Sequence, residues 1–434
     1  METVILINGG SAGDVAIDRA LALVAGRARG HARPMRMFLP ILLLLAGCAT
    51  VPKAPAQGVE VAVAFDGMRE IGASASGLAD PAIGRRATPD DPVRIASISK
   101  LVVAIGVMRM VEDHALDLDR PVSDYLGYTV DNPAFPGQPV TLRRLLSHTG
   151  SLRDHDDQYA IPLGQTLRAV LADPTSWDRT HGPGDGYFAY ANVNFPVVAS
   201  IVERVTATRF DHVMKRLVLD PMKLDACFNW PLCSDSAVAR AVQLDQDGAP
   251  VKDDLHGQRP ACPVQRARDG GCDLDHFVAG DNGSLFAPQG GLRISARGLA
   301  RIGQMLLGNG VIDGVRILSP ASVAAMTTPV WTFDGDKGVT EDGVFCRYGL
   351  AVHLLSTRAP GCADDPGLPP GDWIGHSGEA YGLRSGLWID RVHHRGMAYY
   401  VTALPADPPK GRSGFAQPEE VMVAKAVALG QQRP

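Results

Sequence analysis

The sequence predicts an α/β protein of the segregated (α+β) kind, in which a discontinuous sheet-bearing part is interrupted by a long, all-helical insertion. Two observations carry this expectation. Strand-like runs open the region from about residue 58, helical patterns fill its middle, and strand-like runs with a terminal helix close it. The chain is also long enough to bury such an architecture, because 434 residues with 45% hydrophobic and 21% charged side chains leave material for one large or two modest cores and exclude intrinsic disorder. The 47 glycines and 32 prolines imply many turns, yet neither recurs with the period of a collagen or a repeat array.

In order along the chain, Val61 to Phe65 is an apolar run, Asp66-Gly67 a hairpin turn, and Met68 opens a second strand. Ser97 to Asp113 reads as a buried helix, since Leu101, Val102, Ala104, Ile105, Val107, Met108 and Val111 cover most of its circumference. Thr141 is placed to cap a short helix, LRRLLSH, ending near Gly150. Helical patterns follow at Asn194–Thr206 and Asp211–Val218. Residues 225–282, with four cysteines and many Gly, Pro and Asp, read as a long loop region. Helices are expected at Ser295–Leu307 and Ser319–Met326, strands at Tyr348–Leu355, Gly382–Ile389 and Gly396–Ala403, and a last helix at Pro418–Leu429. A site between the two layers would lie in a cleft.

Charge narrows the partners. With 42 Lys+Arg against 47 Asp+Glu the net charge is −5, so no basic footprint argues for nucleic acid. Only eight of those cations are lysines, which makes any lysine beside a candidate nucleophile notable.

The one strongly apolar stretch, Phe38 to Ala46, follows Arg36 and ends in Leu45-Ala46-Gly47-Cys48. It is too short to span a hydrocarbon layer of about 30 Å. A cationic start, a short apolar core and small residues make a secretory signal, and the ending resembles a bacterial lipobox in which Cys48 is lipidated. Residues 35–48 are therefore expected to be a lipoprotein signal peptide and lipobox, and residues 49–57 a tether. Residues 1–34 precede any normal signal start and are expected to be a mis-assigned beginning, with Met35 or Met37 the initiator. The expected location is exported and periplasmic, with membrane contact only through a lipid anchor. Cys227, Cys233, Cys262, Cys272, Cys346 and Cys362 then fall as three sequence-local pairs, which suits disulfides in an oxidising compartment, although six cysteines allow fifteen connectivities. No complete GxGxxG, CxxC or Cys/His spacing is present, so neither cofactor nor metal is expected.

Three short motifs carry chemistry. Ser97-Ile98-Ser99-Lys100 is the only Ser-x-x-Lys and opens the buried helix, which sets both side chains on one face. A serine hydroxyl attacks only when a base takes its proton, and a lysine in a low-dielectric cleft can be that base or hold another base deprotonated. Tyr190-Ala191-Asn192 is the only Tyr-x-Asn. A phenol of pKa about 10 acts as a base only beside a cation, for which Lys100 is the candidate. His376-Ser377-Gly378 precedes a strand, and small residues on an edge strand let a substrate backbone approach. Each motif alone has an ordinary structural explanation: a capping serine with a solvated lysine, a core tyrosine, a surface histidine.

Together, with RIASISK, TLRRLLSHTGSL, YANVNFPVVASIVERVT, GGLRISARGLARIGQMLLGNG and GHSGEAYGLRSGLW around them, they resemble the serine β-lactamase and penicillin-binding-protein superfamily, in its class C-like branch with D,D-carboxypeptidases, D-aminopeptidases and family VIII carboxylesterases. The resemblance covers roughly residues 58–430. It implies a β-lactamase/transpeptidase-like fold, an antiparallel sheet with flanking helices plus an all-helical subdomain, with α/β parts at about 58–96 and 283–430 and a helical part at about 97–282. It also implies that Ser97 is acylated, that Lys100 and Tyr190 transfer protons with Tyr190 the favoured base, and that Asn192 binds Lys100 and the substrate amide. Backbone N–H groups of Ser97 and Glu379 would form an oxyanion hole worth several kcal/mol.

One departure bears on substrate. His376-Ser377-Gly378 stands where typical β-lactamases carry Lys-Thr-Gly, and a histidine is mostly neutral at pH 7 where that lysine is a fixed cation. This favours an exported serine hydrolase acting on ester or amide bonds, an esterase or a D-amino-acid-type amidase or peptidase, over a β-lactamase or D,D-carboxypeptidase acting on β-lactams or peptidoglycan D-peptides. A cation from elsewhere, Arg347 or Arg384, would reverse that preference. Glu379 adds a carboxylate at the cleft mouth. A third expectation, of another class, is a non-catalytic binding or sensor protein. His148, with His155 and Asp156-Asp157, and His393-His394 are read as structural or surface groups rather than metal ligands.

Overall fold

The computed structural model describes residues 58–275 and 277–431. The expected signal, the lipobox Cys48 and the tether lie outside the described residues. Strands β1 (Glu60–Asp66) and β2 (Glu70–Ser76) form the first hairpin, its turn held by Asp66 Oδ1, which accepts from Met68 N and Arg69 N at 2.8 Å each. Strand β3 (Val93–Arg94) leads into helix α1 (Ile98–Glu112), and α2 (Leu142–Leu146) and α3 (Asn194–Thr206) follow. Thr141 caps α2 as the sequence predicts, accepting from Arg144 N.

The stretch 225–282 departs from expectation. It holds β4 (Cys227–Phe228) and the hairpin β5 (Leu244–Gln246) and β6 (Ala249–Lys252), so the middle of the chain is not purely helical. A Cys227–Cys233 disulfide fixes the first of these, and β4 pairs with β7 (Leu292–Ile294), which also pairs with β3. A partner far apart in sequence stabilises β4, whereas β5 and β6 pair locally across the Asp247-Gly248 turn, where both residues have positive φ.

The elements that build the large sheet and its helical layers from here on are α4 (Ala296–Leu307), α5 (Pro320–Thr327), β8 (Trp331–Thr332), β9 (Arg347–Tyr348), β10 (His353–Leu355), β11 (Trp373–Ala380), β12 (Leu383–Asp390), β13 (Arg395–Val401) and α6 (Gln417–Gln431). Ser295 and Ser319 cap α4 and α5. The single strand expected at Tyr348–Leu355 is two, because the chain turns where Gly349 N donates to Val352 O at 2.8 Å.

An antiparallel eight-stranded sheet runs in the order β8-β9-β10-β11-β12-β13-β1-β2. Its alternation feeds two cores. Val61, Val63 and Phe65 of β1, with Ala398 and Tyr400 of β13, join Leu299 and Ile302 of α4 and the buried face of α1. Ala62, Met397 and Tyr399 point the other way and pack with Met422, Val423 and Ala426 of α6. The period of two thus places a helical layer on each face of the sheet. Gly303 lets α4 lie close, since a Cβ there would come within 2.3 Å of the Phe65 ring. Helix α1 is buried from Ile98 to Met108, apolar around nearly its whole circumference because the sheet side and the helical insertion both cover it.

Strand β11, which carries His376-Ser377-Gly378, lies inside the sheet between β10 and β12 and not at an edge. Its pairing with β10 ends at Gly375, while its pairing with β12 continues to Ala380. From His376 onward β11 therefore has β12 on one side only, a local edge within an interior strand.

Candidate active site

The first turn of α1 brings Ser97 and Lys100 together, with Lys100 Nζ 2.9 Å from Ser97 Oγ. Ser97 is partly exposed, whereas Lys100 is completely buried. Lys100 Nζ also donates to Asn192 Oδ1 at 2.8 Å and to the Gln289 carbonyl at 2.9 Å. Burial drives the Lys100 ammonium down to about 7, partly opposed by the carboxylates of Asp154 and Glu341. At neutral pH a large share of the lysine is a free amine. Such an amine has two N–H groups and one lone pair. Asn192 Oδ1 and the Gln289 carbonyl accept only, so they take both N–H groups and leave the lone pair for the Ser97 hydroxyl.

Asn192 owes that orientation to Asp154. The Asp154 carboxylate accepts from Asn192 Nδ2 at 3.0 Å, Asn192 N at 2.7 Å and Val193 N at 2.9 Å, so the amide oxygen must face Lys100. No motif singles out Asp154 in the sequence. It is one of several aspartates in a loop, and its partner Asn192 is 38 residues away.

Tyr190 stacks on His148 with ring centroids 4.3 Å apart and on Phe345 at 4.7 Å, and Lys100 Nζ sits 4.8 Å from its ring centre. Its hydroxyl is buried with no well-formed hydrogen bond among the described residues. Burial pushes the phenol well above its ordinary pKa; Ser97 pulls it down, and Glu341, Asp154 and Glu379 add to the rise. In the resting site Tyr190 is protonated. His148 belongs to this site as a packing partner: its Nδ1 accepts from Ala191 N at 3.0 Å, so the proton sits on Nε2, and burial keeps the ring neutral. The sequence reading had given His148 only an architectural place.

On β11, His376 is buried. Its Nε2 accepts from the Tyr348 hydroxyl at 2.8 Å and its Nδ1 donates to the Ser377 carbonyl at 2.5 Å. Burial, aided by Lys100, lowers its pKa to about 3, so it carries no charge at pH 7. Gly378 faces the nucleophile. A Cβ there would stand 2.3 Å from the Ile95 carbonyl and 3.2 Å from Ser97 N, so only glycine lets this strand lie against the start of α1. Glu379 is exposed and ion-paired with Arg384, whose side chain is only 17% exposed. Neither expected substitute cation is a free charge beside Ser97: Arg384 is engaged by Glu379, and Arg347 lines a separate pocket with Asp364 and Trp373. Glu341, unremarked in the sequence, sits at the rim. Crowding by protein and the neighbouring Glu379 hold its carboxyl above the ordinary range, although its exposure lets water screen part of that effect.

The structure therefore brings Ser97, Lys100, Tyr190 and Asn192 together with Gly378 beside them. His376 and Ser377 stand next along β11, and Glu379 turns outward. The three sequence-local cysteine pairs form as disulfides, Cys227–Cys233, Cys262–Cys272 and Cys346–Cys362. The last of these anchors the segment that carries Phe345 against Tyr190. Among the described residues no group of three or more His, Cys, Asp or Glu is arranged to hold a metal, and no helix is long and apolar enough to cross a membrane.

A partly exposed serine beside a buried lysine at a helix start, a tyrosine and an asparagine around them, and a facing strand define a serine hydrolase site on a sheet-and-helix fold. The chain belongs to the β-lactamase family, whose model matches residues 49–416. It is 28% identical over 284 residues to penicillin-binding protein 4 of Amycolatopsis lactamdurans, covering 64% of this chain and 68% of that one. It is 30% identical over 171 residues to esterase EstB of Burkholderia gladioli, covering 35% of this chain and 42% of that one. Among solved structures, the D-amino acid amidase of Ochrobactrum anthropi SV3 superposes with a TM-score of 0.60 at 18% identity, covering 86% of this chain and 94% of that one. The octameric penicillin-binding protein homologue of Pyrococcus abyssi gives 0.60 at 21% identity, over 86% and 74%.

Proposed function

We propose that the chain is an exported serine hydrolase that cleaves ester or amide bonds through an acyl-enzyme on Ser97. The observation that carries this reading is the buried Lys100 amine, whose two N–H groups are taken by acceptor-only atoms and whose lone pair is left for the Ser97 hydroxyl. Lys100 removes the Ser97 proton as Oγ attacks the substrate carbonyl. This moves the base role from Tyr190, where the sequence placed it, to Lys100, because burial and three carboxylates oppose a phenolate. Tyr190, protonated and beside Ser97, passes its proton to the leaving group and recovers one from Lys100. The Ser97 and Glu379 N–H groups receive the oxyanion, a role supported by the close approach of Gly378 to Ser97 N. Water then hydrolyses the acyl-enzyme by the reverse proton path.

The substrate class is an ester or amide of the kind cleaved by an esterase or a D-amino-acid amidase. The neutral His376 favours this over β-lactams, whose carboxylate would meet no cation at that end of the cleft. Three disulfides support an oxidising compartment, and lipidation at Cys48 completes the proposal for location. The test is intact mass and turnover of the purified protein and of Ser97→Ala with p-nitrophenyl butyrate, nitrocefin and a fluorophosphonate. Fast ester turnover, slow nitrocefin hydrolysis and a fluorophosphonate adduct absent from Ser97→Ala are expected. Rapid nitrocefin turnover would move the protein to the β-lactamases, and no labelling at all would leave a binding protein.

A further inference from the structure

The segments 94–97 and 378–381 run past each other with Ser97 facing Gly378 at one end and Arg94 facing Tyr381 at the other. Ser97 N lies 3.2 Å from a Cβ built on Gly378, and the Arg94 guanidinium carbon lies 5.1 Å from the Tyr381 ring centre. The floor between the two ends is held by Ser385 Oγ, which donates to the Ile95 carbonyl at 3.0 Å. Along β11 the extended residues Glu379 and Ala380 separate the two ends, a run of about 10 Å from Gly378 to Tyr381, while the facing segment turns at Ala96, whose φ is +48°.

The far end carries positive charge with no ion pair among the described residues, Asp253 and the Tyr381 phenol acting on it only at longer range. Arg94 is 8% exposed, its Nε is buried without an acceptor, and among the described residues its guanidinium makes no hydrogen bond or ion pair. Lys252 Nζ stands 5.6 Å from the same Tyr381 ring and likewise has no carboxylate partner. The nearest carboxylate, Asp253, is spent on Arg293, accepting from its Nε at 3.1 Å and its Nη2 at 2.8 Å, and on Trp230 Nε1 at 2.8 Å. Tyr381 sits in a left-handed turn at φ +54°, and its phenol is held below its ordinary pKa chiefly by Arg94. A buried guanidinium and an ammonium share one aromatic ring here with no anion between them. Such a pair needs an anion to offset its desolvation.

The direction of the cleft says which part of a substrate reaches it. His376 lies on β11 before Gly378, and Tyr381 lies after it. Tyr190, which donates to the leaving group, has its ring centre 6.2 Å from that of His376. The leaving group thus occupies the His376 end, and the acyl portion extends along β11 toward Tyr381. We propose that Arg94 and Lys252, across the Tyr381 ring, form an acyl-side subsite for a carboxylate, so that the preferred substrates are esters or amides of dicarboxylic acyl groups. The inference rests on the acyl-transfer reading above.

The experiment compares kcat/KM for ethyl hydrogen succinate, glutarate and adipate with kcat/KM for the same ethyl esters ending in a neutral carboxamide. The purified wild type, Arg94→Gln and Lys252→Gln are assayed by acid release. The carboxylate-to-carboxamide ratio is expected to exceed about tenfold for at least one chain length in the wild type, to collapse toward one in Arg94→Gln and to fall by about threefold or more in Lys252→Gln. A wild-type ratio of one or less, or a ratio that neither variant moves, overturns the proposal. If Arg94→Gln does not fold, Lys252→Gln decides the matter. Calorimetric titration of Ser97→Ala with ethyl hydrogen glutarate separates the two readings. Binding that weakens when Lys252→Gln is added upholds the subsite even if no ester turns over, which would sink only the hydrolase reading. Ester turnover in the wild type without such binding and without charge preference sinks the subsite and spares the hydrolase.

Discussion

Lys100 and Arg293 are both cations removed from water, and their surroundings lead them to opposite ends. Arg293 is 2% exposed and meets Asp253, itself 3% exposed, through two hydrogen bonds, with Asn229 Oδ1 and the Gly291 carbonyl accepting from its Nη1. Although burial works against it, the Asp253 carboxyl is held below its ordinary pKa by Arg293 and Trp230, and a guanidinium does not give up its proton. That pair is a strut between β6, β7 and the turn after β4. Lys100 has no carboxylate in contact. Its acceptors are an amide oxygen and a carbonyl, so burial is only partly offset by the more distant Asp154 and Glu341 and its ammonium falls to about 7. The difference teaches that a buried lysine whose partners are neutral acceptors becomes a base, whereas a buried arginine held by a carboxylate becomes a brace.

Four measurements break or sharpen that contrast. The largest effect is expected from Lys100→Arg, which keeps the charge and loses the ability to become neutral. Turnover of p-nitrophenyl butyrate should fall by about 10³-fold while circular dichroism stays native. Near wild-type turnover would show that Lys100 is no base. Next, Asp253→Ala strands Arg293 in the interior and should cost roughly 3–5 kcal/mol of stability, read as a lowered midpoint in urea. An unchanged midpoint would mean water reaches Arg293 freely. Third, Asp154→Asn replaces one of the two accepting oxygens that hold Asn192 and Val193 with an N–H donor, which must then face another N–H, and should lower kcat by about ten- to a hundredfold. A purely structural Asp154 would change the unfolding midpoint and leave kcat alone.

The smallest effect concerns pH. Because the Lys100 pKa is lowered in the folded protein, the active free amine is present above about 7 and is lost as the pH falls, so kcat/KM should rise with pH through about 7. Glu341 raises the Lys100 pKa, so Glu341→Gln should move that limb to lower pH. A shift the other way, or no acid limb near neutrality, would contradict the assignment.

Much of the site was legible because its residues lie close together in the chain. Ser97 and Lys100 are three apart at one helix start, so helical periodicity puts them on one face, while Tyr190 and Asn192 are two apart and His376 to Gly378 are consecutive on one strand, so each motif is a short local pattern. The alternation of β1 and β13 was likewise readable and fixes which side chains meet α4 and which meet α6. Within 225–282, β4 was not readable because it depends on β7, 64 to 66 residues on, whereas the β5–β6 hairpin pairs locally across Asp247-Gly248, a turn signal that the reading of the region as a loop passed over.

The sequence by itself determined the fold class, the capped helices, the neighbouring cysteine pairs and the candidate site residues, all set by patterns over a few residues. Only the tertiary structure decided the charge state and orientation of those side chains. Asp154, Gln289 and Glu341 come from distant loops to orient the Lys100 amine and set its pKa. Asp253 is claimed by Arg293 and leaves Arg94 without an anion. Protonation and charge balance depend on desolvation and on distances between groups far apart in the chain, and no local pattern encodes either.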